Sequence, residues 1–292
     1  MASRTAPDTV PERALRQIVA GCRDDLLKYR AIVLKSRRAV GIHQTRVALR
    51  RMRAAFSLFE GAARSEIARR EMEALGAEAK WLAGECAPAR DLHVFLTETA
   101  PKAPPVVRRV ARRLATEHLG RARTALSSAR FGTFERALAG FIEHEPENSA
   151  GRLDAFGRTV LDRRAAKVAK RAHRLGSLDG ERLHRLRIAV KKLRYAATFL
   201  RPAFAEPPFD SRAAKPYIEA TMRLQGALGI LNDRAVAAHM LADIATAARL
   251  DEDVERPLAK LAKQAASGEK RRRRALQWAW KQFRKTGRFW EG

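Results

Sequence analysis

The chain has 292 residues, 59 of them Lys or Arg and 32 Asp or Glu, for a formal net charge of +27 at pH 7. With 46% apolar residues it can bury a real core, which excludes a disordered basic tail. Its longest run without a charged residue, Leu224 to Asn232, is nine residues, so membrane insertion, which takes about 20 mostly apolar residues, is not expected. The first residues, Met1 to Asp8, lack the apolar core of a signal peptide. Cys22 and Cys86 are the only cysteines and form no CxxC, which excludes a disulfide framework and a Cys-rich zinc site. A reducing, cytoplasmic location is the expectation.

The positive charge is spread along the whole chain. Residues 1–146 hold 27 Lys and Arg against 16 acids, and residues 147–292 hold 32 against 16. Self-repulsion on this scale opposes compactness, and a polyanionic partner relieves it. Nucleic acid, an acidic membrane surface and a polyphosphate all satisfy that requirement.

Ala, Leu, Arg, Lys and Glu dominate, and no segment sustains period-two alternation, so the fold class is all-α. Helices are expected at 10–36, 40–60, 64–86, 90–99, 104–129 and 133–144. A second set is expected at 152–175, 180–204, 212–229, 233–249 and 251–285, with a break near Gly268. Pro101, Pro104 and Pro105 separate two helices of the first set, and Pro202, Pro207 and Pro208 two of the second. The polar segment Glu145 to Gly151, near the midpoint, reads as a linker.

The halves on either side of it repeat. His43-Gln44-Thr45-Arg46-Val47-Ala48-Leu49-Arg50-Arg51-Met52-Arg53 and His184-Arg185-Leu186-Arg187-Ile188-Ala189-Val190-Lys191-Lys192-Leu193-Arg194 share the pattern H-x-x-R-[VI]-A-[LV]-[RK]-[RK]-[ML]-R at an offset of 141. A second echo follows at an offset of 142, where Arg90-Asp91 and Val94 correspond to Asn232-Asp233 and Val236. Two matches in register argue for two copies of one helical unit, packed about a pseudo-twofold axis.

At about 100° per residue, with His43 at 0°, Arg50 falls near 340°, Arg46 near 300° and Arg53 near 280°. Ala48, Met52, Thr45, Phe56, Leu49 and Ile42 occupy roughly 140–260°, and Arg51 stands apart near 80°. The second motif repeats the arrangement: His184, Arg187, Lys191 and Arg194 form the stripe and Lys192 stands apart. Like charges at i,i+3 and i,i+4 cost roughly 0.2–0.5 kcal/mol each. No acid interrupts the first stripe between Gln44 and Leu58. A linear polyanion lying along its ~15 Å could touch every member. Arg presents a donor fork to phosphate oxygens and Lys a point charge, and His donates from both nitrogens when phosphate holds it protonated. A solvated face is the usual fate of a charge run, and the duplication argues against it here. A metal reading fails on spacing, because Arg46 and Arg187 hold the positions where a second ligand would stand. No HExxH, Walker loop or dinucleotide fingerprint is present.

The paired H-x-x-R-x-x-x-[RK]-[RK]-x-R helices, each followed by an Asp-bearing segment, resemble the CHAD domain, the conserved histidine α-helical domain. The resemblance covers about residues 8–290. It implies one domain of two internally repeated four-helix-type bundles, repeat 1 over about 8–145 and repeat 2 over about 152–290. It also implies a central basic groove or pore that binds inorganic polyphosphate, association with polyphosphate granules, and no enzymatic activity or cofactor. The triphosphatase-type domain that some members carry is not expected in a chain of this length. One departure is local: Cys86-Ala87-Pro88-Ala89 precedes Arg90-Asp91, where the second half keeps Leu228-Gly229-Ile230-Leu231 before Asn232-Asp233.

The candidate polyphosphate-binding residues are therefore His43, Arg46, Arg50, Arg51, Arg53, His184, Arg187, Lys191, Lys192 and Arg194. Secondary contacts are expected from Lys28, Lys35, Arg90, Arg164, Lys167, Arg171 and Arg234. Asp91 and Asp233 either orient a neighbouring stripe residue or cap a helix. The run Lys270 to Arg274 covers all sides of its helix and reads as solvated, with Trp278, Trp280 and Trp290 nearby as packing anchors. A sequence-independent nucleic-acid binder is the competing expectation, though neither stripe carries the aromatic platform that single-strand binders use. A phosphohydrolase or phosphotransferase would need carboxylates that the stripes do not offer.

Overall fold

The computed structural model describes residues 9–63, 65–99, 101, 103–144, 151–247 and 268–291, with the backbone alone at 99 and over 230–240. Among these residues there are helices and turns and no strand. The expected helix over 251–267 and most of the expected linker lie outside the described residues.

The helices begin where the sequence supplies caps and prolines. α1 (Pro11–Lys35) opens on a proline whose missing N–H costs nothing in a first turn. α2 (Ala39–Phe59) follows after Ser36, Arg37 and Arg38. The Ser65 hydroxyl accepts from the Ala68 amide to start α3 (Glu66–Glu85). Pro88, in the first turn of α4 (Ala87–Val94), fixes the break between α3 and α4. A π turn at Phe95–Thr99 completes this segment. α5 (Pro105–Ser127) and α6 (Ala129–Glu143) meet at Ser128, which caps α6 through the Phe131 amide. That cap starts α6 four residues before the expected start at 133.

In the second half, α7 (Leu153–Arg171) ends in a turn through Arg174, at φ 51°. The Asp179 side chain accepts from the Arg182 amide to cap α8 (Gly180–Leu200). α8 tightens into a 3₁₀ turn at Arg201–Phe204, where Pro202 cannot continue it. α9 (Ser211–Ala247) runs unbroken through the gap expected between 229 and 233. The expectation of two helices there is wrong because Gly229 lowers helix propensity by about 1 kcal/mol without breaking a hydrogen bond, whereas Pro88 breaks one. α10 (Glu269–Phe283) starts at Gly268, whose φ of 79° suits a residue without Cβ.

Consecutive helices pack as α1–α2, α2–α3, α7–α8, α8–α9 and α9–α10, and the halves meet through α2–α8, α5–α9 and α1–α7. The Leu153 amide donates to the Thr9 carbonyl at 3.0 Å, tying the starts of α7 and α1 together. One continuous core runs from Ala14 to Trp290, and a smaller cluster joins Leu92, Phe95 and Val107 to Leu241 and Ile244. Cys22 and Cys86 are buried free thiols, both pushed up to about 12 by desolvation, which keeps them inert.

Trp290 closes the second half. Its indole is fully buried, stands edge-on to Tyr217 (4.9 Å) and Phe289 (5.0 Å), and donates from Nε1 to Asp162 Oδ1 at 2.8 Å. Trp280 stacks on Phe283 at 5.7 Å, whereas Trp278 is 58% exposed and anchors nothing. Replacing Trp290 with Ala is expected to cost about 3–5 kcal/mol. Trp290→Phe, which loses only the hydrogen bond and part of the ring, should cost roughly 1–2 kcal/mol. Urea unfolding of both variants checks this, and equal midpoints for Ala and wild type would contradict it.

Candidate anion-binding site

The motif helices share their bounds at the offset of the repeat: α2 spans Ala39–Phe59 and α8 spans Gly180–Leu200. Ile42, Thr45, Ala48, Leu49, Met52 and Phe56 are buried on α2, and Leu183, Leu186, Val190 and Leu193 on α8. These are the apolar faces assigned from the helical wheel. Burying them fixes the rotation of each helix and places its cationic stripe along the edge of that face.

Because α2 packs against α8, the stripes meet at their centres. Arg50 Nε donates to the Tyr195 hydroxyl at 2.8 Å, a bond between the halves of the chain. Burial pushes the Lys191 ammonium below its ordinary pKa, and the charges of Arg187, Arg50 and Arg53 push it further. Arg194 donates to Gln225 Oε1 at 2.7 Å, and its guanidinium lies over the Tyr195 ring, 4.5 Å from the centroid. Tyr195 and Gln225 therefore support the stripes although the motif did not point to them. Tyr195 follows Arg194 and falls near 20° on the α8 wheel, beside the stripe, so its position was legible. Gln225 lies on another helix and carried no signal.

At the start of α2, α4 brings Arg90 and Asp91 to the stripe. Arg46 Nη1 stands 3.5 Å from Asp91 Oδ1, compensated in charge but without a hydrogen-bond acceptor for that buried nitrogen among the described residues. Burial lowers the Arg46 pKa, and Asp91 opposes the shift. Arg187, its counterpart at the repeat offset, also has a buried Nε without an acceptor among the described residues. Asp91 lies five positions into α4, so it pairs with Arg46 and caps nothing. The backbone at Asp233 is mid-helix, which excludes a cap there too. The side chains of Asp233 and Arg234 lie outside the described residues.

Arg90 Nε donates to His43 Nδ1 at 2.9 Å. A nitrogen that accepts this bond carries no proton, so His43 is neutral with its hydrogen on Nε2. Burial and the charges of Arg90, Arg50 and Arg46 lower its pKa below 6.5. The free protein thus presents a neutral donor at the head of the first stripe, which becomes a cation only when phosphate holds it protonated. A depressed histidine pKa supports the fold above about 6.5 and loses that contribution as pH falls through this value toward the folded pKa. Nitrogen NMR should show protonation at Nε2 and a midpoint below 6.5. A midpoint above it would contradict the Arg90 bond. Saturation with a polyanion should raise that midpoint.

Arg51 and Lys192, expected near 80° and so apart from the stripes, point away from the groove. Arg51 pairs with Asp25 at 3.4 Å, and Lys192 is exposed beside Arg164, Lys167 and Arg171. Lys28 lies 5.4 Å over the Tyr29 ring and Lys35 ends α1, both exposed. His184 is exposed at the start of its stripe. Among the described residues no three His, Cys, Asp or Glu side chains gather as metal ligands, and no helix is long and apolar enough to cross a membrane.

The structure is thus an all-helical scaffold that sets two basic helices side by side. The CHAD domain family model matches residues 17–242, and the chain belongs to the CHAD domain family. The family is linked with polyphosphate-related proteins. The crystal structure of the CHAD domain from the plant Ricinus communis matches with a TM-score of 0.79 at 26% identity, covering 95% of each chain. PptA from Streptomyces chartreusis matches with a TM-score of 0.65 at 18% identity, over 92% of this chain and 99% of that one, a likeness of fold. No curated protein matches the chain.

Proposed function

We propose that the protein is a non-catalytic module that binds long-chain inorganic polyphosphate in the groove between α2 and α8. The observation that carries this reading is the meeting of the two stripes, with Lys191 among Arg50, Arg53 and Arg187. Packing four cations at the crossing of two helices raises the energy of the free protein, and a polyanion offsets it. Arg46 and Arg187 hold buried N–H groups without acceptors among the described residues, one on each stripe. Phosphate oxygens supply acceptors and charge together. The family supports the same ligand. Its setting in this reading is the cytoplasm, at polyphosphate granules.

Nucleic acid shares the electrostatics but would gain from stacking on exposed rings. The aromatic ring set among the stripes, Tyr195, is 4% exposed and committed to Arg50 and Arg194. The reading is tested by competition: labelled long-chain polyphosphate on the protein, challenged with duplex DNA at matched charge and salt. Polyphosphate should hold its place until DNA is in at least tenfold excess. Displacement at equal charge would turn the assignment to nucleic acid.

A further inference from the structure

Outside the groove, α7 and α8 build a second cationic place. Arg163, Arg164, Lys167 and Arg171 of α7 and Lys192 of α8 line an open depression of about 370 Å³, which Ser57 and Glu60 close at the end of α2. Glu60 is the one carboxylate lining it among the described residues. The cations strain one another. Partial desolvation, then the charges of Arg164, Lys167 and Arg171, lower the pKa of this largely exposed Lys192, with Glu60 opposing. Burial and Arg163 push Arg164 down to about 10.

The fold orients these groups without neutralising them. Arg164 donates to the carbonyls of Lys192 (2.7 Å) and Ser57 (3.3 Å), and Arg171 to the carbonyl of Arg185 (2.7 Å). A guanidinium has five N–H donors, so each keeps several for a ligand. Donors fixed before binding lose less entropy when a ligand arrives.

The first half shows that the fold does not require these cations. α1 and α7 begin 142 residues apart, and α2 and α8 begin 141 apart. On those offsets Lys192 corresponds to Arg51, Lys167 to Asp25, Arg171 to Tyr29 and Arg164 to the buried Cys22. There Arg51 and Asp25 form an ion pair. One half carries a neutral pair where the other gathers unpaired positive charge. Beyond Arg171 the positive charge is partly offset. In the adjoining depression, which shares Lys167 and Arg171, Arg182 pairs with Asp179 at 3.5 Å and Arg185 with Glu181. The cationic stretch from Arg164 to Arg171 is roughly 10 Å long at ~1.5 Å per residue.

We propose that this basin is a second anion site, separate from the paired stripes, which takes a short condensed phosphate of two or three units, free or as the end of a longer chain. Several charges in a compact ligand match several fixed donors in a short basin better than a monoanion does. The inference shares its ligand class with the groove reading but not its residues, so the two fail separately.

Calorimetric titration of the full chain with tripolyphosphate at fixed ionic strength tests it. With the stripes disabled by Arg46→Ala, Arg50→Ala, Arg187→Ala and Lys191→Ala, one tripolyphosphate should still bind. Adding Lys167→Ala and Lys192→Ala should weaken that binding at least tenfold, and Glu60→Gln should tighten it two- to threefold. If the stripe variant does not fold by circular dichroism, the basin pair alone should lower the wild-type stoichiometry by one tripolyphosphate. Long-chain polyphosphate that displaces tripolyphosphate from the stripe variant identifies chain ends as a source, and no displacement restricts the site to free short phosphate. A folded stripe variant that binds no tripolyphosphate, or binding indifferent to Lys167 and Lys192, overturns the basin. Failure of the groove would show differently, as long-chain affinity unchanged by the stripe substitutions.

Discussion

Raising the salt from 50 to 200 mM is expected to weaken long-chain polyphosphate binding about a thousandfold. The stripes carry six Arg and Lys: Arg46, Arg50, Arg53, Arg187, Lys191 and Arg194. Each cation that meets a phosphate releases condensed counterions, and about six such contacts on a dense linear polyanion lose on the order of 10³ in affinity over this range. His43 adds little to the slope, because Arg90 holds it neutral in the free protein. The slope of log affinity against log salt therefore counts the cations engaged. A slope near −1 would mean a single contact and would remove the groove as the binding element.

Arg46→Ala with Arg50→Ala is expected to weaken long chains at least tenfold and short oligophosphates far less. Charge-assisted hydrogen bonds contribute roughly 1.5–3 kcal/mol each when partly desolvated. A long chain spans both stripes, so engaging the second is effectively intramolecular, and breaking one stripe loses that advantage. A short oligophosphate fills one stripe and finds the other intact. Arg187→Ala with Lys191→Ala should behave alike. The first pair also frees the Tyr195 hydroxyl and leaves Asp91 without its cation, so thermal melts must accompany the titrations. Equal losses for long and short chains would separate the stripes into independent sites.

The sequence carried the motif helices almost completely. Their wheel assigned Met52, Leu49, Leu186 and Leu193 to the core, and all four are buried. It carried the helix starts that follow from proline or a cap, such as Pro11 and Asp179. It misjudged α9, which runs as one helix through the expected gap between 229 and 233, where no proline enforces a break. What it did not carry came from pairing distant segments. Gln225 reaches Arg194 from α9, and Tyr195 reaches Arg50 from the other half. The protonation of His43 depends on Arg90, which stands 47 residues away and approaches only because α4 turns at Pro88. The offset of Arg51 and Lys192 from the stripes was visible at 80°, but their opposite surroundings were not. An acid on α1 meets one, and three cations on α7 meet the other.

The central claim is that the placement of charge, and not its amount, binds polyphosphate. Long-chain affinity should therefore be measured side by side for Arg46→Ala/Arg50→Ala and for Arg271→Ala/Arg272→Ala on α10, at one salt concentration. Both pairs remove two positive charges from the +27 of the chain. The account predicts a loss of at least tenfold for the stripe pair and less than twofold for the α10 pair. Equal losses would show that net charge is the cause and would contradict a groove between α2 and α8.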